Sequence, residues 1–143
     1  MEIQALVVDD SKIMRKLVMR SLTESKLAQF TFTEAEDGVE ALSVFDAKKT
    51  GMIFVDWNMP NMNGVDFVRE VRSIQKQHVP VVMITTESTM GKVEEALDGA
   101  GVDCYIVKPF TTEVLQKKLQ PLFDKLTKPK SGGFFGKLAK KIA

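Results

Sequence analysis

The chain has 143 residues, 44% of them apolar and 27% charged, which is enough for one hydrophobic core and one domain of ordinary globular composition. No run approaches the roughly 20 apolar residues of a membrane-spanning helix, and Met1-Glu2-Ile3 leads into a strand rather than a signal peptide, so the expected compartment is the cytoplasm. The net charge of +1 is unevenly spread: residues 128–143 hold five lysines and no acid, while residues 1–127 carry 15 basic and 19 acidic groups, with no basic stripe of interleaved aromatics to serve DNA.

Apolar runs of strand length alternate with segments of helical period along the chain. Ala5-Leu6-Val7-Val8 is the first strand and ends in Asp9 and Asp10. Ser11 is a good N-cap for a helix whose residues Ile13, Met14, Leu17, Val18, Ser21 and Leu22 make one buried face. Phe30 to Thr33 is a short second strand, and Asp37-Gly38 turns into a helix with Val39, Leu42, Val44 and Phe45 that ends near Thr50-Gly51. Met52-Ile53-Phe54-Val55 is the third strand and delivers Asp56. The turn-rich segment Asn58 to Gly64 precedes a third helix with Val65, Val68, Val71, Arg72 and Ile74. Val81-Val82-Met83-Ile84 ends in Thr85, a fourth helix falls around Thr89 to Leu97, Tyr105-Ile106-Val107 ends in Lys108, and a fifth helix covers Thr111 to Leu126.

Five βα units with near-continuous apolar strands imply a parallel sheet covered on both faces, joined by right-handed crossovers. In such doubly wound sheets ligands bind at the carboxyl ends of the strands, where strand order reverses. Asp9, Asp10 and Asp56 meet there if the first and third strands are neighbours, and three converging carboxylates call for a hard cation such as Mg2+. Thr85 and Lys108 add a hydroxyl donor and a cation at two further strand ends, a combination that suits a phosphoryl group. A carboxylate is already a nucleophile, and phosphoryl transfer chiefly demands positioning and charge neutralisation.

The segments Val7-Val8-Asp9-Asp10-Ser11, Val55-Asp56-Trp57-Asn58-Met59-Pro60, Thr85-Thr86-Glu87 and Val107-Lys108-Pro109-Phe110 resemble the receiver domains of bacterial two-component response regulators, above all the stand-alone chemotaxis regulators. The resemblance covers residues 1–126 and implies a flavodoxin-like (βα)5 doubly wound parallel sheet of strand order 2-1-3-4-5. It further implies that Asp56 accepts a phosphoryl group from a histidine kinase. Asp10 and Asp56 would bind Mg2+ directly with the Asn58 carbonyl, and Asp9 through a water. Thr85 and Tyr105 would form the switch, with Lys108 pairing the phosphoryl oxygen and Lys108-Pro109 a candidate cis peptide. Asn58, Thr86 and Glu87 would set the phosphoryl lifetime, Thr86 being bulkier than is usual beside the switch threonine. The connection through Asp98-Gly99-Ala100-Gly101 is one residue longer than the compact chemotaxis pattern.

By the same resemblance the protein is a signalling switch, not an enzyme beyond its own phosphorylation and dephosphorylation. The expected partners are a histidine kinase, a flagellar motility switch or other effector acting in chemotaxis, and a phosphatase. Alternatives are a phosphorelay intermediate, a pseudo-receiver that only binds partners, and an aspartate-nucleophile phosphatase with Mg2+. The last needs an acid two residues after the nucleophile, where this chain has Asn58. No Gly-x-x-x-x-Gly-Lys-Ser/Thr or Gly-x-Gly-x-x-Gly segment supports nucleotide binding. Trp57 is expected to pack beside the site, Met14, Met59, Met62 and Met83 to fill core and loop, the lone Cys104 to be buried, and His78 to be an exposed loop residue.

The expected domain organisation is a receiver domain over 1–126, a flexible linker over 127–133 and a short basic amphipathic tail helix over 134–143. At helical spacing Phe134, Phe135, Leu138, Ala139 and Ile142 share one face and Lys137, Lys140 and Lys141 the other. Ten residues are too few for a stable isolated helix. The tail is therefore expected to fold against something: a partner's groove, the receiver itself, or an anionic membrane surface to which it would direct the protein.

Overall fold

The computed structural model describes residues 1–127. The tail over 134–143, and the linker apart from Thr127, lie outside the described residues; Thr127 is the last residue of the fifth helix. The elements are β1 (Glu2–Val8), α1 (Lys12–Ser25), β2 (Gln29–Ala35), α2 (Gly38–Val44), β3 (Met52–Val55), α3 (Gly64–Ile74), β4 (Val81–Thr85), α4 (Met90–Glu94, continued by a π-helical turn, Glu95–Ala100), β5 (Cys104–Val107) and α5 (Thr112–Thr127). The strands form one parallel sheet in the order β2-β1-β3-β4-β5, the expected doubly wound flavodoxin-like arrangement. Among the described residues no helix is long and apolar enough to cross a membrane.

Alternation along the strands feeds two cores. Leu6, Val8, Ile53, Val55 and Met83 face one layer, with Phe67 and Val68 of α3, while Ala5, Val7, Phe54, Val82 and Ile84 face the other, with Leu22 of α1 and Leu115, Leu119 and Phe123 of α5. Both sides of the central strands are dry, which is why their sequences are unbroken apolar runs. The edge strand β2 instead alternates: Phe30 and Phe32 pack inward, whereas Gln29, Thr31 and Thr33 are exposed. Gln29 at one end and Glu34-Ala35 at the other extend it beyond the expected Phe30 to Thr33.

Several helix faces are narrower than their patterns imply. In α1 the buried residues are Val18, Leu22 and Ser25, with Met14 partly covered, whereas Ile13 and Leu17 are exposed. The apolar positions of α1 spread over about two-thirds of the helix circumference, and the interior covers only the row through Val18, Leu22 and Ser25. The second helix stops at Val44 rather than near Thr50-Gly51. Asp46 accepts hydrogen bonds from the amides of Lys48 and Lys49, and its own amide donates to the Thr50 hydroxyl, so a side-chain-closed turn outcompetes further helix. Val39, Val44, Ile74 and Val114 are likewise exposed, while Ala41 and Phe67 carry burial that the pattern did not single out.

Caps fix the helix starts beside the strand ends. The Ser11 hydroxyl accepts from the Met14 amide, as its position predicted, and Asp37 and Asn63 do the same for Glu40 and Asp66. Before β5, α4 widens into the π-helical turn, which holds more residues per turn and closes on Gly101 at φ +83°.

Candidate functional site

Backbone register assembles the site. Val8 pairs with Val55, and the Asp56 amide donates to the Val8 carbonyl at 3.0 Å, so the residues that follow β1 and β3 emerge side by side. Thr85 pairs with Val107, and the Lys108 amide donates to the Thr85 carbonyl at 2.8 Å, which delivers the hydroxyl and the lysine to the same edge. Carboxylate oxygens of Asp9, Asp10 and Asp56 all lie within 4.8 Å of one another. Asp9, Asp56 and Thr85 are buried and Asp10 is exposed.

Charge in this crevice is only partly balanced. Lys108 Nζ sits 2.8 Å from Asp9 Oδ2 and 3.3 Å from Asp56 Oδ2. Asp9 also accepts from the Ser11 amide at 2.9 Å, and Asp56 from the Trp57 amide at 2.7 Å. Burial pushes the Asp56 carboxyl above the ordinary aspartate range, opposed by the Lys108 ammonium and the Thr85 hydroxyl and reinforced by the Asp9 charge. Three carboxylates against one ammonium leave an excess of negative charge on hard oxygen donors. That donor set fits a divalent cation such as Mg2+, with the exposed Asp10 the carboxylate least engaged by the protein.

The surrounding loops are tied through Glu87. Asn58 Nδ2 donates to Glu87 Oε2 at 2.7 Å, the Glu87 amide donates to Thr85 Oγ1 at 3.4 Å, and the Tyr105 hydroxyl donates to the Glu87 carbonyl at 2.5 Å. One residue thus joins the loop after Asp56, the threonine of β4 and the aromatic of β5. Burial, with the charges of Glu87 and Asp56, pushes the Tyr105 phenol up to about 12. Thr86 lies on the exposed side of this loop. Lys108-Pro109 is a cis peptide.

Residues that the sequence did not single out complete the frame. Arg15 donates from Nη1 to the Asp9 carbonyl at 2.7 Å and pairs with Glu34 at 2.9 Å, fixing the turn after β1. A Cβ on Gly64 would lie 2.0 Å from the Asp56 carbonyl oxygen, so the loop 58–63 can fold back onto the Asp56 backbone only through glycine. The dipeptide Asn63-Gly64 was the available signal, read only as a turn. Lys92 Nζ lies 4.8 Å from the ring centroid of Trp57, which is buried beside Asp56 as expected.

The remaining residues fall outside the crevice. Met83 is core, and Met14, Met59 and Met62 pack partly buried against it. His78 is exposed, with Nε2 2.8 Å from Asp103 Oδ1. Cys104 is half-buried rather than buried, because it lies on the edge strand, and burial pushes its thiol up.

Comparison with known proteins agrees with this geometry. The profile of response regulator receiver domains matches residues 5–120. The chain is 49% identical over 117 residues to chemotaxis protein CheY1 of Helicobacter pylori, covering 80% of this chain and 92% of that one. It is 39% identical over 123 residues to chemotaxis protein CheY of Pseudomonas aeruginosa, covering 85% and 96%. Among solved structures, the chemotaxis response regulator CheY4 of Vibrio cholerae superposes with a TM-score of 0.72 at 35% identity, over 85% of this chain and 99% of that one.

Proposed function

The chain belongs to the response regulator receiver family, as a CheY-like signalling protein of a two-component system, and from that premise we propose that Asp56 is its phosphoacceptor and chemotaxis or motility its output. The observation that carries the reading is the convergence of Asp56 with Asp9, Asp10, Thr85 and Lys108 at one sheet edge. An Asp56 oxygen attacks the phosphorus of a kinase phosphohistidine; the new O–P bond forms as the P–N bond breaks, and the imidazole leaves and takes up a proton. Mg2+ held by Asp10, Asp56 and the Asn58 carbonyl, with Asp9 behind a water, would supply charge neutralisation on the phosphoryl oxygens.

Lys108 supplies the protein's own share of that neutralisation. Its ammonium, already 3.3 Å from Asp56, can move from the carboxylate to a phosphoryl oxygen. The Thr85 hydroxyl donates to another, a contact that exists only in the modified state. Because the Glu87 amide donates to Thr85 Oγ1 and the Glu87 carbonyl accepts from Tyr105, motion of Thr85 toward the phosphoryl group loads the tie to Tyr105. The Asn58–Glu87 bond, with Thr86 beside it, stands at the mouth of the site and controls how water reaches the acyl phosphate. A phosphatase and the surface of α4, β5 and α5, meeting a flagellar switch or another effector, complete the cycle.

Acetyl phosphate with Mg2+ should add one phosphoryl group to the full chain, and Asp56→Asn should abolish it. Unchanged labelling in that variant removes the assignment. Thr85→Ala should still take up phosphate but gain little affinity for the effector; equal gains in variant and parent refute the switch.

A further inference from the structure

Trp57 stands between the phosphoacceptor and a helix. Its amide donates to Asp56 Oδ1 at 2.7 Å, which fixes one carboxylate oxygen while Lys108 Nζ faces the other at 3.3 Å, and its carbonyl accepts from the Gly64 amide at 2.8 Å. The residue is buried, and the ammonium of Lys92 on α4 lies 4.8 Å from its ring centroid. Backbone and ring thus tie the nucleophile and the helix to one residue.

The first turn of α4 has little else to hold it. None of Met90–Glu94 is buried, Met90 is among the most exposed apolar side chains, and the Thr89 side chain makes no cap hydrogen bond. The first buried side chains of the segment, Ala96 and Ala100, come only in the π-helical turn. Glu95 is spaced to pair with Lys92 along the helix, but it lies 3.8 Å from Arg69 of α3 instead. Among the described residues no carboxylate lies within ion-pair distance of Lys92, and its ammonium rests on the indole, whose electron-rich face attracts a cation.

We infer that Lys92 is a positioning residue for the phosphorylation of Asp56: its ammonium holds the Trp57 ring, and through the Trp57 amide the orientation of the Asp56 carboxylate follows the position of α4. The inference rests on Asp56 being the phosphoacceptor. Lys92 touches no reacting atom. Its effect is on angle, because a carboxylate turned away from the line of the leaving group presents its attacking oxygen poorly, and phosphoryl transfer depends chiefly on positioning. The route is separate from the Glu87 tie: that one joins Thr85 to Tyr105, whereas this one joins the residue after the nucleophile to α4.

The test compares the full chain with Lys92→Met, which keeps the aliphatic stem, and Lys92→Arg, which keeps a cation for the ring. With saturating Mg2+ and acetyl phosphate, Lys92→Met should label Asp56 about two- to fivefold more slowly, the range that a cation–π contact supplies at an exposed site, and Lys92→Arg should match the parent. Trp57, the single tryptophan, gives a signature independent of labelling: its emission should shift in Lys92→Met and stay with the parent's in Lys92→Arg. A Trp57→Leu background separates the contact from the loss of a positive charge near an anionic donor, since there Lys92→Met should slow the reaction no further. Unaltered emission or an unaltered rate in Lys92→Met, failure of arginine to restore the rate, or the same slowing in the Trp57→Leu background each overturns the inference and leaves the phosphoacceptor in place. Absence of labelling in the parent removes the phosphoacceptor reading and this inference with it.

Discussion

Replacing Lys108 by Met keeps most of the aliphatic stem and removes only the ammonium. In the parent that ammonium lies 2.8 Å from Asp9 and 3.3 Å from Asp56, with the three side chains 10%, 5% and 11% exposed. At 3.3 Å and an effective dielectric constant near 20 the gross attraction to Asp56 is about 5 kcal/mol. Part of this is offset because methionine has no charge to desolvate, and stranding a buried partner typically costs about 3–5 kcal/mol. An expected loss of about 3 kcal/mol at pH 7.5 in EDTA corresponds to a urea midpoint lower by roughly 1.5 M, for a slope near 2 kcal/mol/M.

The size of that loss should depend on what else neutralises the crevice. Mg2+ bound by the same carboxylates, as proposed, would act on the native state only, so millimolar Mg2+ should recover most of the deficit of Lys108→Met while stabilising the parent far less. Protons should act similarly. The Asp56 carboxyl, already pushed up by burial, rises further once the ammonium is gone. A carboxyl whose folded value lies above its unfolded value contributes stability that is complete below the unfolded value and is lost as pH rises through the folded one. The variant's deficit relative to the parent should therefore shrink as pH falls from 8 toward 5. Asp56→Asn in the same background should also be less harmful than the two single effects predict. A deficit that is flat in pH and unmoved by Mg2+ would show that Lys108 matters through packing, and would remove it as the counter-ion of the site.

Three further outcomes follow from particular contacts. Gly64→Ala should cost about 3 kcal/mol or more and impair phosphorylation, because its Cβ would lie 2.0 Å from the Asp56 carbonyl oxygen and backbone must shift; chemical denaturation with phosphate labelling measures both. Tyr105, the only tyrosine, should show its phenolate absorbance near pH 12, and its contribution to stability, complete below about 10, should fade between pH 10 and 12; an ordinary midpoint near 10 would contradict the tie to Glu87. Arg72→Ala should cost about 2–3 kcal/mol without altering phosphate uptake, since the guanidinium donates to the Val79 and Gly101 carbonyls and to Asp103, far from the crevice.

What the sequence disclosed about this site depended on where along a strand each residue falls. Asp9, Asp10, Asp56, Thr85 and Lys108 each follow or end an apolar run, and a parallel sheet carries every run to the same edge, so one-dimensional position becomes three-dimensional proximity. Glu87 had only been assigned to the phosphoryl lifetime. Its ties to Asn58 and Tyr105 span 29 and 18 positions, which no local pattern announces. Arg15 bonds a carbonyl, and Gly64 yields space to one, so neither leaves a side-chain signature beyond turn and helix composition. The helix faces erred for a related reason: periodicity shows which positions could be covered, whereas the width of what covers them belongs to the neighbouring elements, and Ile13 and Leu17 lie beyond it. Under the proposed function the strand ends carry the charges of the reaction, and the loop contacts between them carry the signal away. A substitution at Glu87 that preserves Asp56, Thr85 and Lys108 should accordingly leave phosphate uptake largely intact while uncoupling Tyr105, a separation of chemistry from output that strand-end substitutions such as Lys108→Met are not expected to give.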